Sequence, residues 1–268
     1  MEDYLISVDE DAGEANNLKR VYNKRMGDSA RLIQSLNEPW KSAPDFSTFT
    51  ATNSYGKPLF DVGGEQGVYR ANLGMRTHHG LDDYMFTKLA ETAKMIKVSK
   101  SMGHKRQILN VSEAGYDFHG NQVEGHTKKM RALSLAVSDF YKAIEEMGMQ
   151  EEVLVVLSSE FGRTMKSNAD GTDHGWGGHS FMLCGDPAFN GGKVFGEVMT
   201  DLKLDGPNAY TNRARIIPTT SLEQMYAPAL KWFGVDETTM AHVLPNLSNF
   251  RTDDTIESAF LQGVFNSI

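Results

Sequence analysis

Cysteine is almost missing from this 268-residue chain, where Cys184 stands alone. One thiol excludes an intramolecular disulfide and a cysteine-built zinc cage, and it fits any redox compartment. Long apolar runs are lacking too: the longest, VLVVL from residue 153, is far short of the ~20 residues of a membrane helix, so no membrane span is expected. Positive charge is in deficit, with 27 Lys and Arg against 35 Asp and Glu for a net charge of −8. A phosphate backbone rewards clustered cations, so nucleic acid is not an expected partner. The opening stretch MEDYLISVDEDAGEANN is acidic and has no apolar segment, so no signal peptide is visible in it. No repeat of fixed period and no low-complexity segment occurs. Ser158 and Ser159 lack a G-x-S-x-G elbow. The glycine pairs at 63–64 and 191–192 carry neither a phosphate-binding loop nor a dinucleotide fingerprint.

What remains is an ordinary globular composition, long enough for one large domain or two small ones, each with a sizeable core. We expect a single domain over residues 1–268. Leu18, Val21, Tyr22, Leu32, Ile33 and Leu36 fall near one face of a helix over residues 17–36. Residues 37–80, rich in Gly, Pro, Ser, Thr and Asn, read as a long irregular insertion or capping loop. A helix over 82–102 would bury Met85, Leu89, Ala93 and Ile96. Residues 107–111 (QILNV) read as a strand. The clearest helix spans about 128–147, where Met130, Leu133, Val137, Phe140, Ile144 and Met147 recur every three or four residues and Gly148 supplies the stop.

The unbroken run at 153–159 then has the pattern of a strand covered on both faces. Strand, helix and strand make a βαβ unit, whose strands would be parallel. Further strands are expected at 179–185 and, more weakly, near Val194. Ser221 with Gln224 forms a capping box that opens a helix to Phe233, bent at Pro228 and closed by Gly234. The alternation predicts a layered α/β domain.

In open α/β sheets, ligands bind beyond the carboxyl ends of the strands. Three segments with metal-capable side chains flank the expected strands. The first carries Asp117 and His119; the second carries Glu160, with Arg163 three residues on; the third carries Asp173, His174 and His179 within a glycine-rich loop. Three carboxylates and three imidazoles suit a divalent metal: Zn, Mn or Fe, or with water Mg or Ca. Two such ions could clamp the oxygens of a phosphate or sulfate ester, and Arg163 could bind the anion's non-bridging oxygens. Simpler readings stand beside this one. Asp117 could cap a turn and His119 could be an ordinary exposed histidine. Glu160 could pair with Arg163 as a structural bridge, Asp173 and His174 could be turn residues, and His179 could be a satisfied core histidine.

The stretches GYDFHGNQ, LVVLSSEFGRT, DHGWGGHSFMLCG and RIIPTTSLEQMYAPALKWFGV, in that order, resemble the bacterial domain-of-unknown-function family fifteen-oh-one, over about residues 107–250. The resemblance implies membership of the alkaline phosphatase and sulfatase-like superfamily. It also implies a layered α/β/α fold with a mainly parallel sheet, and export by the twin-arginine route to the periplasm. By the superfamily scheme Asp117 and His119 fall in the first metal loop, and residues 160–162 take the place of a D-H-G at a strand end. His179 falls where the final metal histidine stands. Phe161 stands where that scheme has a metal-binding His. The scheme's first strand and Ser or Thr nucleophile have only a faint echo in FDVGGEQG at 60–67, so the chain reads as the C-terminal two-thirds, without the N-terminal strands. The implied activity is that of a metal-dependent hydrolase acting on a small-molecule or glycan-type phosphate or sulfate ester. The alternative is a non-catalytic exported protein of the same fold with a binding or structural role.

Overall fold

The computed structural model describes residues 17–43, 45–61, 84–197, 199, 201 and 203–266. Among these, five α-helices accompany two small antiparallel sheets. The helices are α1 (Asn17–Ser42), α2 (Tyr84–Ser101), α3 (Gln122–Glu146), α4 (Leu222–Phe233) and α5 (Glu237–Val243). The strands are β1 (Val155–Leu157), β2 (Gly162–Ser167), β3 (Thr172–Gly175), β4 (Phe181–Leu183), β5 (Ala209–Tyr210) and β6 (Arg215–Ile216). Strands β1 and β4 form a two-stranded ribbon, and the other four lie in the order β3-β2-β6-β5. No helix of the described residues is long and apolar enough to cross a membrane.

The expected layered α/β/α domain with a mainly parallel sheet is therefore overturned, because every strand pairing among the described residues is antiparallel. A parallel βαβ unit needs its first strand beside its second with cover on both faces. Residues 107–111 form no strand, and Ile108 is 76% exposed. The run at 153–159 keeps only its middle as β1, half-buried, and that strand pairs with β4 through Val155–Leu183, Val156–Met182 and Leu157–Phe181. An apolar run does not say which strand will cover it, and here a strand from later in the chain does so from the opposite direction. Residues 194–197 form no strand.

The helices follow their sequence patterns more closely. On α2, Met85, Leu89 and Ala93 are buried, and Ile96 packs half-buried against the same core. On α3, Leu133, Phe140 and Ile144 are buried, joined by Ala136 and Ala143 at no measurable exposure. These small residues let the two helices approach, and each large apolar side chain buried there contributes about 1.5–3 kcal/mol. Helix α3 begins six residues before the expected start, because its first turn follows directly on the loop that holds Asp117 and His119. Beyond its last residue, Gly148 takes a φ of 65° and Met149 N–H donates to Ile144 O at 3.0 Å, which satisfies the carbonyls at the helix end. Helix α4 opens with the expected capping box at Ser221 and Gln224, contains Pro228, and is closed by Gly234 at φ 91°. Its core partners are Met240, Leu244, Leu247, Ile256 and Phe260.

Helix α1 extends beyond its expected end to Ser42, through Pro39 and into the start of the expected irregular region. On its apolar face Tyr22 and Ile33 are 63% and 62% exposed. Most of 60–67, with the rest of the region to residue 80, lies outside the described residues. Residues 45–61 wrap onto α3 through backbone donors. Thr50 and Ala51 N–H groups each donate to the Glu146 carboxylate at 2.7 Å, and Phe60 N–H donates to Asp139 Oδ2 at 3.0 Å. Asp139 is fully buried. Its replacement by Ala leaves that amide without its acceptor, and we expect a loss of about 2 kcal/mol in urea unfolding. Stability equal to the unmutated chain would show that the contact contributes nothing.

Candidate metal centre

The turn between β2 and β3 begins the site. Asn168 N–H donates to Gly171 O at 3.0 Å and Ala169 takes a φ of 89°, folding the chain into a hairpin that pairs Arg163 with His174. Residues expected as a loop around Asp173 and His174 are thus the strand β3. The loop before α3 docks on this hairpin. Gln122 N–H donates to Asp170 O at 3.0 Å, and Thr172 Oγ1 donates to Gln122 Oε1 at 2.6 Å. Gly171 lets the two segments touch: a Cβ there would run into the backbone of His119.

Arg163 completes the docking. Its Nη1 donates to Phe118 O at 2.9 Å and Thr172 O at 2.6 Å, and its Nη2 donates to Tyr116 O at 2.7 Å. Three of the five guanidinium N–H donors are thereby committed to backbone carbonyls. The expected anion-binding arginine is therefore the clamp that holds the 116–118 loop against β3. It pairs with no Glu160 carboxylate among the described ion pairs; its acidic neighbour is Asp117, 3.7 Å away.

This docking brings Asp117, His119 and His174 together, with one ligand atom from each within 4.8 Å of the others. Asp117 Oδ1 lies 2.7 Å from His174 Nε2 and 2.9 Å from His119 Nε2. The His174 nitrogen is hydrogen-bonded to that oxygen and the His119 nitrogen stands at ion-pair distance from it; a shared cation would take a lone pair from each, according to its tautomer. The hydrogen bond with His174 holds the Asp117 carboxyl below the usual carboxylate range, helped by the positive charge of His119, His174 and Arg163. Nearby, burial and the Glu113 carboxylate push the Tyr116 phenol well above its usual range.

Of the other three expected ligands, Glu160 and His179 are not in this cluster and Asp173 borders it. Glu160 is exposed on the turn before β2, and His179 is exposed before β4, not a core histidine. Asp173 lies beyond His119, with Oδ1 at 3.5 Å from His119 Nδ1. Its Oδ1 also accepts from Asn168 Nδ2 at 2.9 Å, and its Oδ2 pairs with Arg213. Phe161 stacks on the His174 ring at 3.9 Å and 8°, and His119 also stacks on that ring, at 5.0 Å and 27°. Sequence reasoning placed Phe161 as a missing ligand; in the structure it is the flat wall that fixes His174. Arg213 escaped notice because nothing in its turn signals a partner 40 residues away. Cys184 is half-buried just past β4, and burial raises its thiol pKa, in keeping with a small packing residue.

Two imidazoles and a carboxylate make a donor set suited to zinc, manganese or iron, and less to the all-oxygen preferences of magnesium and calcium. The side chains of Asp117, His119 and His174 are 56%, 49% and 46% exposed, so the cluster is open to solvent on one side. Closed four-ligand sets mark structural metals, whereas three protein ligands with an open side mark sites where water or substrate can enter.

No curated protein and no solved structure matches the chain. The profile of a family described as a protein of unknown function, DUF1501, matches residues 10–249, which extends the likeness read from residues 107–250 toward the start of the chain. The chain belongs to that family.

Proposed function

We propose that the chain binds a first-row divalent cation through Asp117, His119 and His174 and uses it on a phosphate or sulfate ester of a small molecule or glycan. The observation that carries this reading is the convergence of two Nε2 atoms on one carboxylate oxygen at an open surface. When bound, the cation would supply Lewis-acid stabilisation of charge on the ester oxygens. The chain's own residues do the rest. Asp117 and the two imidazoles present the donors. Phe161, stacked on His174, and Arg163, which clamps the 116–118 loop, hold them in place. The family resemblance supports the ester class and an exported, periplasmic site of action.

Stripping the chain with a chelator and titrating it with Zn²⁺ and Mn²⁺, alongside aryl phosphate and aryl sulfate esters, tests the reading. One bound ion per chain and turnover that rises with the added metal are expected. Binding without turnover would replace the hydrolase by a non-catalytic, metal-holding protein, the reading favoured by Phe161 in place of a ligand. No binding at micromolar metal would overturn both.

A further inference from the structure

We infer that Asp173 is the positioning residue of the cluster, an outer-shell carboxylate that sets the ring orientation and tautomer of His119; this rests on the metal reading above. An imidazole has two nitrogens, and a metal takes only one. In His119 the Nε2 faces Asp117 at 2.9 Å, so the opposite nitrogen, Nδ1, is left for a supporting partner. The carboxylate facing it is Asp173, whose Oδ1 lies 3.5 Å away, at ion-pair distance and longer than an ordinary hydrogen bond. A histidine that ligates a metal characteristically gives its other ring N–H to a carboxylate.

Asp173 is itself held from three directions. Asn168 donates to its Oδ1 at 2.9 Å, its own backbone N–H donates to Thr164 Oγ1 at 3.2 Å, and Arg213 pairs with its Oδ2. Its side chain is 21% exposed, against 49% for His119. The carboxylate is thus more enclosed and more fixed than the ring it faces, as an orienting group should be. Arg213 comes from the turn between β5 and β6, where Thr211 and Ala214 take φ values of 67° and 52°. That turn therefore reaches across the sheet to brace the carboxylate, which links a separate hairpin to the cluster.

The test compares Zn²⁺ affinity, by competition with a chromophoric chelator, for the unmutated chain, Asp173→Asn, Asp173→Glu and Arg213→Gln. It adds ¹H–¹⁵N spectra of the Zn²⁺-loaded, histidine-labelled chain to report the hydrogen bond made by the His119 Nδ1–H. Asp173→Asn should weaken Zn²⁺ binding by about 10–100-fold. It should also move the His119 Nδ1–H signal toward that of a weaker hydrogen bond; Asp173→Glu should restore part of both, and Arg213→Gln should cost less than Asp173→Asn. Should Asp173→Asn not fold, the Arg213→Gln and Asp173→Glu chains carry the comparison. Unchanged affinity and an unchanged Nδ1–H signal in the variants, with Zn²⁺ still bound by the unmutated chain, would overturn the inference and leave the metal reading standing. An unmutated chain that binds no Zn²⁺ would overturn the metal reading itself, and the inference with it.

Discussion

Asp117→Ala and His174→Ala should each lower Zn²⁺ affinity by more than the ~100-fold upper range of outer-shell changes, because each removes a donor outright. Glu160→Ala and His179→Ala should leave affinity unchanged, since neither side chain joins the cluster. The pairing matters because all four residues are candidate ligands on sequence grounds. If Glu160→Ala weakens binding as much as Asp117→Ala, the cation sits elsewhere on the hairpin and the three-residue cluster is not its seat. Circular dichroism of each variant separates ligand loss from unfolding. Asp117 needs that check most, because its carboxylate also neutralises Arg163 in the loop clamp.

Gly162→Ala should be the most destabilising of the glycine substitutions near the site, by about 3 kcal/mol or more. Gly162 faces Gly175 across the β2–β3 pair, and a Cβ on it would run into the carbonyl of Gly177. A backbone carbonyl cannot swing aside as the tip of a side chain can. Gly177 is itself fixed, its N–H donating to Ile216 O at 2.9 Å. Gly178→Ala is the control, because its added Cβ would sit 3.7 Å from Gly162 Cα, an ordinary contact. We expect the control to stay within about 0.5 kcal/mol of the unmutated chain in urea unfolding. Equal stability of the two variants would mean that the hairpin and the 177–178 segment separate readily, and the tight crossing would have no energetic weight.

Local rules made the helices readable, and long-range pairing made the sheets unreadable. The stripe on α3 and the Ser221–Gln224 box on α4 depend on residues three or four apart, so the sequence displays them directly. The parallel sheet failed at residues 107–111, where an apolar pattern alone could not reveal that no neighbour would pair with it. Half of the candidate ligands met for a related reason. Asp117, His119 and His174 converge because Arg163 and Gly171 join two segments far apart in sequence. Glu160 flanks the same strand but faces solvent. Nothing in the local sequence of Glu160 differs from that of a ligand; the difference lies in which carbonyls the neighbouring guanidinium chooses.

The docking of the 116–122 loop on β3 has a mechanical consequence. Asp117 and His174 lie 57 positions apart, and the segment between them contains all of α3 and the first strand of the ribbon. An ion gripped by both would tie that stretch into a ring, a clasp of the kind that restricts the wandering of an unfolded chain. On the chain-entropy scale used for disulfides, a loop of this length corresponds to about 4 kcal/mol. A polypeptide with a lone thiol could thus obtain from coordination the cross-link that sulfur chemistry denies it.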